Sequence, residues 1–495
     1  MGLMRFQVFP PDRIAPEAAE RAFLTGPERI PWVSRVQFSG GMLSVSRTTS
    51  DSAALCMPWQ DDGHGEVTLS TGTLIERSEP YHLQVELARG QIHQLRNQLS
   101  EWQAAGLAVP ESIHAALRGA LEQFAAAATR QHEPDAAAAH AERAIRAALN
   151  VSDTLSARYV EQALASRHRQ SPHLPTLLGV DLGHRLLDAS LGRQVLQAFN
   201  AAVVPVVWRD VEATEGSYQW SVYDRQVEWC LAHELKVVAG PLLRLDDRGL
   251  PDWLAIWEGD FDNLLSFVSD YVETAVNRYR GKVHLWQCAA RVNVGDVLSL
   301  SEEEKLRLAV RALEITRKVD PDTPAIIRFD QPWAEYMARA NRDLSPLHFA
   351  DVLVRSGLEL SGLGLEINVG YWPDGTYPRD RLDYSRQLDR WSCLGLPLWV
   401  TLSVPSGQTP DPQAYGRGAP LPTAHSSGWT LDQQQVWIKS YVPLLLAKPA
   451  VHGVFFNHLS DALPHEFPHS GLFDATGAAK PALASLIVLR KKHLA

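Results

Sequence analysis

The stretch LLGVDLGHRLLDASLGRQVLQAFNAAVVPVVWRD, residues 177–210, holds the pattern on which the fold turns. An apolar run, Leu177 to Leu182, is followed by a helical pattern and then by a second apolar run, Ala202 to Trp208. Short apolar runs alternating with helical periodicity read as buried parallel strands joined by crossover helices. The theme returns at Val237 to Leu243, Val283 to Ala289, Ala325 to Phe329, Leu363 to Val369, Leu398 to Val404 and Val451 to Phe456. Eight such units over about 320 residues predict an α/β fold, a (β/α)8 TIM barrel, with its active site at the C-terminal ends of the strands.

Upstream of this unit the pattern differs. Residues 1–80 read as a β-rich N-terminal module, with runs at Arg5 to Phe9, Val33 to Ser46 around a Gly40-Gly41 turn, and Glu66 to Glu76. Residues 81–170 read as a helical region, with apolar spacing through Leu83, Val85, Leu87, Ile92, Leu95 and Leu99 and then two Ala-rich segments, 111–130 and 135–168. The two prolines of Gln170 to Pro175 mark the boundary before the barrel, residues 171–495.

Composition excludes several classes. Apolar residues at 45% and charged residues at 21% are those of a folded globular protein. Forty-seven Lys and Arg against 57 Asp and Glu leave a charge of -10, which argues against a nucleic-acid partner. Four scattered cysteines with no C-x-x-C pair indicate neither zinc knuckle nor disulfide scaffold, and no cofactor motif of the P-loop, dinucleotide or zincin type is present. The leading MGLMRFQVFPPDRIAP lacks a signal-peptide core, and no stretch reaches the ~18 apolar residues of a membrane span. The expectation is a cytoplasmic protein with no membrane partner.

The strand ends carry the chemistry. Four consecutive runs finish near an arginine, Arg209, Arg244, Arg291 and Arg328, while Glu366 and Asn368 stand on the sixth run and Asn457, His458 and Asp461 follow the eighth. Guanidinium forks match carboxylate, sulfate or phosphate, so a converging set suits an anionic ligand. Asp210, Asp246 and Asp330 sit beside three of these arginines, and rim salt bridges are the competing reading. Trp333, Tyr371 and Trp372, just past the fifth and sixth runs, are candidates to stack on a sugar face, against ordinary packing. His458, Asp461, His465 and His469 gather in one loop, but their spacing defines no metal geometry, and no metal is expected.

With these residues in view, the chain from about 177 to 486 resembles glycoside hydrolase family 10, the xylanase family. The resemblance rests on Val211-Glu212 with Gly216, Tyr218, Trp220 and Asp224, on Pro251-Asp252-Trp253-Leu254, and on Arg278-Tyr279-Arg280-Gly281. It continues in Asp461, Gly471-Leu472-Phe473-Asp474, Gly477 and Lys480-Pro481-Ala482. The family implies a retaining barrel glycosidase, with a glutamate acid/base after strand four and a glutamate nucleophile on strand seven, about 5 Å apart. Where the family's strand four ends W-D-V-V-N-E, this chain has Trp286-Gln287-Cys288-Ala289-Ala290-Arg291, and where strand seven carries T-E it has Thr401-Leu402. The resemblance thus puts Arg291 at the acid and Leu402 at the nucleophile. The histidine motif after strand three becomes Gly240-Pro241-Leu242-Leu243-Arg244-Leu245, and the strand-eight Trp-Gly becomes Asn457-His458.

Three functions stay open on this reading. One is a saccharide-binding barrel without xylanase activity, with an anionic preference provided at least two arginines remain unpaired. Another is a hydrolase rebuilt around Glu366 and Asp330, the weak catalytic candidates. The third is an interaction scaffold that recruits a protein partner through residues 1–170.

Overall fold

The structure is a computed structural model and describes residues 2–421 and 428–494. The N-terminal part holds two four-stranded sheets. Gly2–Gln7, Arg35–Ser39, Met42–Arg47 and Tyr81–His82 form one, and Phe23–Thr25, Pro31–Trp32, Ala54–Asp61 and Gly65–Ser70 the other. Gly40 and Gly41, at φ 57° and 74°, make the expected two-residue hairpin turn, for which positive φ at both positions is required.

Four strands lie where the sequence pattern points to none, Phe23–Thr25, Pro31–Trp32, Ala54–Asp61 and Tyr81–His82, and the expected strand from Glu66 to Glu76 stops at Ser70. Ala54–Asp61 tolerates Pro58 because that residue lies beyond Cys56, the last position paired with Phe23–Thr25, so its missing N–H takes nothing from that ladder.

Three helices follow, α1 (Leu83–Ala104), α2 (Glu111–Thr129) and α3 (Pro134–Gln170). Ala137, Ala141, Ala144 and Ala148 recur at helical spacing on α3 and are buried, so small side chains let the helices pack closely. The face joins Met4, Phe6, Trp59, Leu83 and Leu95 in one hydrophobic core.

The barrel strands are β1 (Leu177–Asp181), β2 (Ala201–Val204), β3 (Lys236–Ala239), β4 (Leu285–Ala290), β5 (Ala325–Asp330), β6 (Gly362–Asn368), β7 (Leu398–Ser403) and β8 (Val451–Phe456). All pair in parallel, and the Gly453↔Leu177 register of β8 with β1 closes the circle. A two-residue strand, Leu243–Arg244, runs beside β4. Alternation divides each strand. Ala201, Val203, Val238, Leu285, Ile326 and Phe455 fill the interior, and Val180, Val204, Ile327, Val400 and Leu402 face the surrounding helices. Among the described residues no helix is long and apolar enough to cross a membrane.

The N-terminal part is bound to the barrel through α4 (Arg381–Ser392). Its N-cap Asp380 accepts hydrogen bonds from Gln91 of α1 and Ser152 of α3, and Arg381 pairs with Asp153. Leu382, the first apolar residue of α4, packs in the N-terminal core rather than the barrel's. Burial pushes the Asp380 carboxyl up to about 6. A raised acid stabilises the fold fully below its unfolded value near 4, and this contribution fades as pH rises through about 6. We expect urea titrations to show stability falling by the order of 2 kcal/mol across that window, with Asp380→Asn flattening this component.

Candidate functional site

At the barrel mouth three arginines and four carboxyls interlock. Arg291 follows β4 at φ 59°, in the left-handed region. Its Nη1 donates to Glu466 at 2.5 Å and to Asp246 at 3.1 Å, and its Nη2 to Glu366 at 2.9 Å, with Asp330 at 3.7 Å. Arg244 donates to Asp246 and to Glu466, both at 2.7 Å. Arg328 on β5 lies 3.1 Å from Glu366 and donates to Gln287 of β4.

Uncharged donors complete the floor. Asn368 Nδ2 reaches both Asp330 and Glu366, and Asn457 Nδ2 reaches Glu366, Asn368 and Ser403.

Protonation follows from this arrangement. Burial alone would raise the Glu366 carboxyl, but Arg328, Arg291 and Arg244 hold it well below the usual carboxylate range. Asp330, buried beside that charge and farther from Arg291, is pushed well above its ordinary value. Burial opposes ionisation of Asp246 too, yet Arg244 and Arg291 keep it low. His458, in the wall of the same cavity, is held neutral by burial and then by His465.

The interlock decides between the two readings of the arginines in favour of salt bridges. Arg244, Arg291 and Arg328 are each ion-paired, and Arg209 stands apart on the rim, 2.8 Å from Asp252. The condition for an anion-selective mouth is therefore not met, because the acids equal or outnumber the arginines they face.

The cavity that remains is about 80 Å³, bounded by Tyr415 and Glu466 above and by Glu366 and Asn457 below. Ligand pockets are ordinarily ~300 Å³ or more. Burying three guanidinium groups without these partners would be prohibitive, so the loop carrying Glu466 closes the mouth by charge as well as by bulk.

The aromatic candidates lie elsewhere. Tyr371 is buried with its hydroxyl on the Pro468 carbonyl, and Trp372 lies under the Arg339 guanidinium and tilted against Tyr377. Trp333 is 9% exposed, packs edge-on against Tyr384 and lines a cleft toward the N-terminal module, not the mouth. Of the residues singled out in sequence, the structure thus brings together Arg244, Arg291, Arg328, Asp330, Glu366, Asn368, Asn457 and His458. Arg209, Trp333, Tyr371, Trp372 and Asp461 fall outside that group.

Asp461 belongs to a neighbouring knot with Asp411 and His465, whose ligand atoms lie within 4.8 Å of one another. Lys480 Nζ bonds Asp461 at 2.5 Å, the Gly471 N–H donates to Asp461 and the His469 N–H to Asp411. A lysine ammonium already occupies the cationic role there, so the set does not fit a metal.

Asp330 and Glu366 are directly paired neighbours on β5 and β6 and share the Asn368 donor. They do not face each other across a cleft, as acids flanking a glycosidic bond do.

Two features of the sequence reading needed the structure. Leu402 is 1% exposed and packs in the outer core, while Thr401 and Ser403 carry the inward parity of β7, with Ser403 held by Asn457. Leu402 therefore does not point into the mouth. Glu466, which neutralises both Arg244 and Arg291, went unnoticed between the more conspicuous His465 and His469.

Comparison with known proteins agrees with this architecture. The model of glycosyl hydrolase family 10 matches residues 189–293, from the first crossover helix to just past β4. Endo-1,4-beta-xylanase B of Thermotoga neapolitana is 24% identical over 298 residues, 58% of this chain and 79% of that protein. Endo-1,4-beta-xylanase C of Paenibacillus barcinonensis is 25% identical over 228 residues, but these are only 20% of its length. The crystal structure of xylanase 10B from Thermotoga petrophila RKU-1 in complex with xylobiose aligns with a TM-score of 0.50 at 18% identity, covering 67% of this chain and 97% of that one. The barrel thus has a xylanase-like (β/α)8 fold. The chain is related to glycoside hydrolase family 10.

Proposed function

We propose that this chain is a xylanase-like barrel that takes a saccharide at its mouth without hydrolysing it by the retaining route. The observation that carries the reading is Arg291, held at the end of β4 by Glu466, Asp246 and Glu366. The resemblance puts the family's acid/base at this position, and a guanidinium does not deprotonate in the working range to give or take a proton. On β7 the inward groups are the hydroxyls of Thr401 and Ser403 and no carboxylate is available to form a glycosyl intermediate. Loss of such a nucleophile removes many orders of magnitude in rate.

The saccharide half draws on the fold, on the xylobiose bound in the Thermotoga petrophila enzyme, and on the amide floor of Asn368 and Asn457. The ligand enters by displacing the two loops that bear Tyr415, after β7, and Glu466, after β8, which makes binding weak. Incubation with xylan and xylo-oligosaccharides is expected to release no reducing ends above a buffer control, while calorimetry detects millimolar binding of xylobiose. Released sugar overturns the first half; no binding of any neutral or acidic oligosaccharide overturns the second.

A second reading, hydrolysis by a rebuilt pair, draws on the opposite shifts of Asp330 and Glu366, since divergent carboxyl pKa values accompany acid and base roles. Product release abolished by Asp330→Asn would favour it.

A further inference from the structure

A cleft of about 680 Å³, several times the cavity at the mouth, lies between three parts of the chain. The β module contributes its Gly26–Arg29 loop and Thr71, α1 contributes Arg89 to Gln94, and α4 contributes Arg386 and Arg390.

Five arginines and two aspartates line it, in a chain whose formal charge is -10. Two of the arginines are accounted for. Arg379 is bound by Glu335 and Asp383, and Arg89 by Glu86. Asp383 is spent on Arg379, and Asp380 is engaged by Gln91 and Ser152. Three guanidinium groups are left over. Arg386 donates to Gln94, a neutral acceptor, and among the described residues neither Arg29 nor Arg390 has a carboxylate within 4.0 Å. Arg29 and Arg390 line the same cleft, and Arg390 is held below its ordinary value by burial and then by the charge of Arg29. Glu28, which opposes that repulsion, is itself paired with His348.

At the barrel mouth Arg244, Arg291 and Arg328 are each matched by a carboxylate. The cleft lacks that compensation. We propose that it is a binding site for a small phosphate-bearing anion, a phosphate monoester or anhydride of metabolite size. Guanidinium forks match phosphate oxygens, a multiply charged group offsets three cations better than one carboxylate does, and the volume lies in the range of ligand pockets, ~300–1,000 Å³. Phe23 and Trp333 form an apolar wall for the remainder of the molecule. This site is independent of the saccharide reading.

The test is calorimetry on the intact protein with pyrophosphate and inorganic phosphate, at ionic strength held constant with sodium chloride. Pyrophosphate is expected to bind one per chain and more tightly than phosphate, with Arg390→Ala weakening it by about ten-fold or more. Arg29→Glu supplies the missing carboxylate and is expected to abolish binding while raising the thermal midpoint; Arg29→Gln is the substitute if that variant fails to fold. Arg355→Ala, on an exposed helix elsewhere, is expected to leave binding unchanged. Absence of binding by either anion at millimolar concentration overturns the proposal, as does binding that survives both Arg390→Ala and the Arg29 variant. Capture of an acidic peptide with no response to pyrophosphate also overturns it.

Discussion

Arg291→Ala is expected to lower the unfolding free energy by about 3–5 kcal/mol, the range for removing one partner of a buried ion pair. The residue is 8% exposed and its guanidinium meets Glu466, Asp246 and Glu366 at once, so its loss leaves those acids crowded around Arg244 and Arg328 alone. Denaturant titration checks the magnitude, and pH checks the cause. With the charge gone, Glu366 keeps Arg328 and Arg244 but is held low less strongly, so the variant loses less stability on acidification than the parent and the gap between them narrows as pH falls below the unfolded carboxyl range. Arg291→Lys should fall between, because one ammonium cannot satisfy acids on several sides. A cost under about 1 kcal/mol at neutral pH would make the interlock no stronger than a surface pair.

Leu402→Glu is expected to cost about 4 kcal/mol or more, or to give insoluble protein, because it places a carboxylate in the apolar layer between β7 and the helices. Leu402→Met, which conserves volume, should cost less than about 1.5 kcal/mol. Both are read by thermal and urea unfolding. If the side chain pointed into the mouth, the glutamate would sit among arginines and be tolerated, so a well-folded Leu402→Glu would overturn the outward assignment. The double variant Arg291→Glu with Leu402→Glu is not expected to hydrolyse xylan. It adds an acid to an acidic mouth and buries the other outside it.

The barrel was legible because its signal is repetition. Each apolar run is long enough to be seen alone, and its position as a strand needs no partner to be known. The facing of Leu402 came only from the structure, although it accords with the alternation Thr401-Leu402-Ser403, where the polar flanks belong to the mouth and the apolar centre to the helices. Motif alignment obscured it, because matching residue names to a family pattern ignores the period of two.

The interlock itself was not legible. Arg291 and Glu466 are 175 positions apart, and nothing local to either marks the other. The N-terminal sheets were half legible for a related reason, since Phe23–Thr25 is three residues long and is a strand because Pro31–Trp32 and Ala54–Asp61 lie on either side of it.

Leu382 belongs to the barrel by chain order and to the N-terminal core by packing. A recombination event that carried off the barrel segment alone would therefore inherit an unpaired leucine on α4, with Arg381 and Asp380 stripped of Asp153, Gln91 and Ser152. Separating the two parts therefore carries a cost on the barrel side as well, borne at the N-terminal end of α4.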